Sequence, residues 1–400
     1  GSLPKYVWQE FERFLSCGDF LQGFARVHCA SCGYDRLVPF ACLGRRSLCP
    51  SCCGRIMNET AAYWTDHLIG RVPVRHWTCT VPPPLRYMMG HDVGLCTKVL
   101  DIYNAAVFRW LRSKAKTELG LRSVKQAHPA AVTVVHRGSS HLALNVHFHS
   151  LAADGVYLQS APGEAPEFRA LPAPTQGEVM GVAWETCHRT MKILRSRGQW
   201  IDMDPSDDRF AQEQPGLAQC YAASIAGILT LGPHAGQRVM RIGARASSAD
   251  NEEQEPSAGQ AVVPGFGFSV HAGRRISADD RSGLERVARY VLRPAIAQDR
   301  LKLLPGGKIQ LELKRAWSDG TSHFVFEQLD FMAKLAALIF PPKMHRIRYF
   351  GCWARRAKLR HLVTPHADCE LAACMHTNNA QTPGDKFKRP RYDWAALLQR

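Results

Sequence analysis

The 400-residue sequence contains no apolar run near the roughly 18 residues needed to span a bilayer, and no signal-peptide pattern opens it. Both absences argue against a membrane or exported protein. Gly1-Ser2 stands where an initiator Met is expected and reads as a cloning remnant. There is no G-x-x-x-x-G-K-[ST] run, so no P-loop supplies ATP-driven unwinding. No histidine is followed two residues later by glutamate, which excludes the zinc chemistry of nucleobase deaminases. Acidic residues are scarce: 35 against 51 Lys and Arg, a formal net charge of +16. Such an excess favours a polyanionic partner, nucleic acid before membrane, since no basic amphipathic helix dominates.

Length calls for two or three domains. Apolar patterning marks helices at 5–15, 55–69, 175–197, 217–231, 281–292 and 328–339, and one or two helices over 93–119. Trp77 to Val81 reads as a strand stopped by Pro82-Pro83-Pro84. Two β-rich runs flank Gly138-Ser139-Ser140, FGFSVHA (266–272) is strand-like, and a second hairpin surrounds Ser318-Asp319-Gly320. Three regions are expected: a helix and Cys-rich domain over 3–70, a central domain over 71–330 with a flexible insertion at 243–264, and a basic helical region over 331–400. The last nine residues form an uncapped amphipathic pattern, so the chain is expected to be truncated there.

Seven of the fourteen cysteines fall within the first 53 residues. A disulfide scaffold would normally be short and secreted, so clustered thiols read as metal ligands. Cys29-x2-Cys32 and Cys49-x2-Cys52 have the layout of a four-thiolate structural zinc module, with Cys17 and Cys42 as spares or replacements.

His147-Phe148-His149 sits in a strand-like run, where residues i and i+2 point the same way and both imidazoles reach one ion. A hairpin partner strand brings His136 alongside. Three ligands with open positions suit a divalent ion that must also meet phosphate. On the 281–292 helix, Leu284, Val287, Ala288 and Val291 form the apolar stripe and Tyr290 lies off it, with Arg286 and Arg293 one turn away. A phenol between two guanidiniums suits a nucleophile that handles phosphate. Pro294 ends the helix.

The segments CASCG…LCPSCCGRIMNETA, RHWTCTVPPPLRYMM, NVHFHSLAADGVY, LERVARYVLRPAIAQDRL and LKRAWSDGTSHFVFEQLDF, in that order, resemble the HUH transposases of the insertion sequence ninety-one family and its common-region relatives. The resemblance implies an α+β chain with a ferredoxin-like central antiparallel sheet. On that sheet the motif pair corresponds to His147 and His149, and the nucleophile to Tyr290. At the position of His136, the third ligand read from the hairpin, many relatives carry Gln, which can also ligate; His271 is a second candidate. It further implies rolling-circle transposition: Mg²⁺- or Mn²⁺-dependent cleavage and rejoining of single-stranded or hairpin DNA at transposon ends through a 5′-phosphotyrosine. A host helicase would unwind, and the setting would be bacterial, cytoplasmic and nucleoid-associated. The alternatives are a plasmid-type initiator or relaxase with the same chemistry, or a non-cleaving DNA-binding regulator. Some relatives carry a second tyrosine four residues after the first; here that position is Pro294, a single-tyrosine pattern.

Lys343, Arg346, Arg348, Arg355, Arg356, Lys358 and Arg360 follow with no acid between them, interleaved with Tyr349, Phe350 and Trp353. That mixture is expected to grip single-stranded DNA.

Overall fold

The computed structural model describes residues 3–44, 48–159, 161, 163–199, 207–244 and 259–365. An N-terminal helix, α1 (Lys5–Leu15), leads to a hairpin of β1 (Phe24–His28) and β2 (Asp35–Pro39). Pro50, its φ already helical, starts α2 (Pro50–Tyr63), which passes into a π-helical turn over Trp64–Leu68. Then come β3 (Val74–Thr80), ended by the proline run, and α3 (Pro83–His91). Asp92 accepts the Leu95 N–H to open the long α4 (Val93–Glu118), one helix rather than two.

After β4 (Ala127–His128) the central hairpin pairs β5 (Ala130–Gly138) with β6 (Leu144–Ala153). There follow β7 (Gly155–Leu158), β8 (Glu167–Ala170) and α5 (Gln176–Ser196), the last opened by a reciprocal Thr175–Glu178 capping box. Then come α6 (Arg209–Glu213), α7 (Pro215–Ala226), β9 (Met240–Ile242), β10 (Gln260–Val262) and β11 (Ser269–Ile276). The remaining elements are α8 (Arg281–Leu292), β12 (Leu301–Leu303), β13 (Ile309–Glu312), β14 (His323–Phe326), α9 (Gln328–Leu338), β15 (Ile347–Gly351) and α10 (Arg360–Val363).

The main sheet is antiparallel throughout, in the order β10-β11-β3-β6-β5-β15. Its inner four strands and their crossover helices make a β-α-β-β-α-β unit, the ferredoxin-like pattern. Along β6, Val146, Phe148 and Ala152 join the large core that includes α4 and α5, whereas Leu151 and Ala153 join the second core with α8. Strand alternation therefore sends His147 and His149 toward α8. The second core also takes Leu284, Ala288 and Val291 from α8, with Val287 packed at its edge, which is the apolar stripe seen in the sequence.

Two expectations need correction. The interleaved aromatics of the basic stretch are not free to stack on DNA: Trp353 is buried in the second core, and Tyr349 accepts a hydrogen bond from Trp64 Nε1 at 3.1 Å. Ile347–Gly351 is an edge strand on β5, so alternation buries part of what a helix would have exposed. Three of the basic residues are engaged within the fold. Arg346 donates to the carbonyls of Leu292 and Arg293, Arg348 pairs with Asp101 at 3.0 Å, and Arg360 donates to Tyr63 Oη and the Trp353 carbonyl. Lys343, Arg355, Arg356 and Lys358 remain exposed. Within the expected insertion, residues 259–264 instead contribute β10, paired to β11; residues 245–258 lie outside the described residues, as does the 392–400 pattern.

Asp154, 2% exposed, closes β6 by accepting Arg75 Nε and Nη2 at 2.8 and 2.9 Å and Arg275 Nε at 3.0 Å. Removing the carboxylate leaves the buried Arg75 charge without its partner. Asp154→Ala is expected to cost about 3–5 kcal/mol in urea unfolding; a loss below about 1 kcal/mol would mean that water or backbone solvates Arg75 instead.

Candidate active site

Three histidines meet on the α8 face of the sheet. His136 on β5 lies directly opposite His147 on β6, and the coordinating nitrogens of His136, His147 and His149 all fall within 4.8 Å of one another. Each side chain is between 5 and 7% exposed. Burial pushes the His147 imidazole down to about 4, and it pushes His136 and His149 well below the usual histidine range, helped by the neighbouring imidazoles. All three are neutral near pH 7 and have lone pairs to give.

Hydrogen bonds decide which nitrogen each offers. His147 Nδ1 donates to the Asn145 carbonyl at 2.7 Å, and His136 Nε2 donates to the Val291 carbonyl at 2.5 Å. That leaves Nε2 of His147 and Nδ1 of His136. His147 Nε2 lies 3.1 Å from His149 Nε2. Two metal–imidazole bonds of about 2.1 Å at a right angle would place nitrogens about 3 Å apart, so the donor set fits a divalent ion. His149 Nδ1 lies 2.9 Å from His76 Nε2. With an ion present, His149 Nδ1 donates to His76; without one, the bonds run the other way, His76 to His149 to His147.

His76 is the residue that sequence reasoning missed. The expected strand started at Trp77, and extending the alternation by one residue would have put His76 on the histidine face. His271, the other candidate for third ligand, sits on β11, with β3 between it and β6. Two strand spacings, roughly 10 Å, separate it from His149, and it acts on His76 instead.

Tyr290 stands over this group. Its ring meets His149 edge-on at 5.8 Å and His76 at 6.0 Å, and it is 45% exposed. α8 is fixed at both ends. Asp280 caps its first turn by accepting the Gly283 N–H, Arg281 donates to the carbonyls of Thr65, Ile69 and Gly70, and Arg346 holds the last carbonyls. Because His136 bonds Val291, the next residue after Tyr290, one imidazole links the histidine group to the tyrosine helix. Of the two arginines expected beside it, Arg293 lies over the face of the Tyr290 ring, 4.5 Å from its centroid, and Arg286 is exposed a turn earlier. Arg293 thus restrains the ring by a cation–π contact.

The cysteines sort differently from their spacing. The sulfurs of Cys17, Cys42, Cys49 and Cys52 lie within 4.8 Å of one another, with Cys17 3.6 Å from Cys52 and 3.8 Å from Cys49. A tetrahedron of about 2.3 Å zinc–sulfur bonds has edges of about 3.8 Å, so the group fits zinc. Cys49 precedes the first turn of α2 and Cys52 lies in it. Cys29 and Cys32 are not in the group. β1 and β2 carry them to the hairpin tip, roughly 16 Å of strand from its base, while Cys17 and Cys42 flank that base. At the tip, hydrogen bonding to Ser31 and Cys32 holds the Cys29 thiol down to about 6.

Residues 130–360, more than half of the chain, match the family model described as "Putative transposase", and residues 1–81 match "Transposase zinc-binding domain". The chain belongs to the insertion sequence ninety-one type of transposase. No curated protein and no solved structure matches it. The first match contains His136, His147, His149 and Tyr290, and the second contains the four clustered cysteines. A transposase binds and cleaves DNA, and among the described residues of this one no helix is long and apolar enough to cross a membrane.

The cysteine geometry separates two ligand sets. Purified, reduced transposase is expected to hold one structural zinc that is lost in Cys17→Ser and Cys42→Ser and kept in Cys29→Ser and Cys32→Ser. Metal analysis of the four variants checks this, and the reverse pattern would restore the pairing read from spacing.

Proposed function

We propose that this transposase works by rolling-circle chemistry: it cleaves and rejoins single-stranded DNA at transposon ends through a 5′-phosphotyrosine on Tyr290. The observation that carries this reading is the convergence of three neutral, buried histidines and an exposed tyrosine on one face of the sheet. His136, His147 and His149 would hold Mg²⁺ or Mn²⁺, which when bound supplies Lewis-acid polarisation of the scissile phosphate.

The chain's own residues do the rest. Tyr290 attacks phosphorus in line; its oxygen–phosphorus bond forms as the bond to the 3′-oxygen breaks. The phenol proton is lost and the 3′-oxygen takes one up. One phosphoester replaces another, so the step reverses without ATP and the 3′-OH is free to rejoin. Arg293, stacked on the ring, fixes the direction of attack and brings a positive charge beside the phosphate. His76 orients His149 by bonding its Nδ1. Pro294 stands four residues after Tyr290, so one tyrosine serves both cleavage and rejoining on this helix. The exposed Lys343, Arg355, Arg356 and Lys358 offer charge for a single strand or hairpin stem. Without a P-loop, strand separation falls to a host helicase or to replication.

The two roles fail differently. Tyr290→Phe removes the attacking oxygen and keeps the ring, so it is expected to bind DNA normally and give no covalent adduct at any metal concentration. His149→Ala is expected to lower cleavage about 100-fold or more, with partial recovery at high Mn²⁺. Denaturing gels with labelled single-stranded element ends, followed by mass spectrometry of the adduct, decide it. A nucleotide mapped to another tyrosine, or full cleavage by the Phe variant, would overturn the assignment.

A further inference from the structure

A cavity of about 570 Å³ lies against the histidine group and shares two residues with the candidate site, His136 and Arg293. Its wall carries Arg137, Arg293, Arg300, Lys314, Arg315 and Arg346, and not one carboxylate. Arg137, Arg300 and Arg346 donate from this wall to backbone carbonyls and one hydroxyl. Arg137 donates to the carbonyls of Gly90 and Ala337 and to Tyr221 Oη. Arg300 donates to the carbonyls of Glu312 and Ser140, and Arg346 to those of Leu292 and Arg293. Asp299 and Glu312 lie near Arg300 but outside the lining. Arg137 is 2% exposed, and its Nε has no hydrogen-bond partner. Lys314 and Arg315 are exposed at the mouth.

The same wall has an apolar side in Leu313, Leu338, Phe340 and Trp317. Trp317 is half-buried, with its ring supported edge-on by His141 at 5.1 Å. Concentrated positive charge on a lining that holds no carboxylate selects a polyanion, and an aromatic wall beside it selects a flat π-face; a nucleotide unit of single-stranded DNA has both. A duplex would keep its bases stacked inside and offer the aromatic wall nothing.

Resting on the reading of Tyr290 and the histidines above, we propose that this cavity receives the nucleotide of the cleaved strand adjacent to the scissile phosphate. Its phosphate lies on Arg300, Lys314 and Arg315, and its base lies against Trp317. Arg293 then touches both the attacking ring and the seated nucleotide, so correct seating and the line of attack are set by one side chain. The cavity fixes where along the strand the cut falls.

The test uses the full chain carrying Tyr290→Phe, so that binding is read without turnover. The probes are a labelled single-stranded oligonucleotide of the element end and a set of copies, each abasic at one position. Lys314→Ala with Arg315→Ala, both at exposed positions, is expected to flatten the slope of log affinity against log salt by about 1.4, two contacts at about 0.7 each. Loss of the base next to the cut is expected to weaken binding about tenfold, with Trp317→Ala abolishing that difference and Trp317→Phe restoring it. An unchanged salt slope, or an abasic penalty that persists without Trp317, overturns the proposal. So does a free deoxynucleotide that binds as tightly as the strand. The adduct assay on the wild-type chain separates the two readings: an adduct with an unchanged slope removes the cavity alone. A flattened slope with no adduct keeps the cavity and removes the cleavage chemistry.

Discussion

The two-residue period of β6, read against its neighbours, is the constraint on which the rest depends. Leu144, Val146, Phe148 and Ala152 face the large core, whereas Leu151 and Ala153, with His147 and His149, face α8. A slip of one residue would send His147 and His149 into the large apolar core and Phe148 toward the tyrosine helix. The slip is costly because Phe148 is fully buried on its own side. On that side too, Thr133 hydrogen-bonds Asn104 and Ser150 between β5, β6 and α4, a polar trio that fits one register only. Register also pairs His136 with His147, so the third imidazole reaches the group from the neighbouring strand without any loop to position it.

Burial then prepares the histidines chemically. Removing three imidazoles from water disfavours their cationic forms, which lowers all three and leaves them as neutral donors. The same burial demands that each remaining N–H find an acceptor. For His147 and His136 the Asn145 and Val291 carbonyls provide these, and by doing so they select the donor nitrogen. One of these acceptors belongs to α8, so the requirement to satisfy a buried N–H is also what ties the sheet to the helix carrying Tyr290. Stability and site geometry share a hydrogen bond.

The zinc-binding domain solves another problem. Its hairpin is exposed along almost its whole length and contributes nothing to either core. Such a small unit needs a staple to hold it to the following helix. The sulfurs of Cys17 and Cys42 at the hairpin base, with those of Cys49 and Cys52 at the start of α2, converge at that join.

The sequence by itself determined what is periodic or local. The strand of His147 and His149, the apolar stripe that leaves Tyr290 outside and the proline stops all follow from neighbours a few positions apart, and the net charge of +16 from composition. Tertiary structure decided which distant residues meet. Cys-x2-Cys spacing says that two sulfurs are close, but strand length determines that Cys29 and Cys32 end at the far tip. Strand order, invisible to spacing, places His136 beside His147 and puts a strand between His271 and His149. The basic run after Lys343 looked uniform as sequence, yet pairing of Ile347–Gly351 with β5 turned Arg346 onto the end of the tyrosine helix and drew Trp353 into the core. Local pattern fixes the direction in which a side chain points, and only the packing of elements far apart in sequence fixes what lies there to receive it.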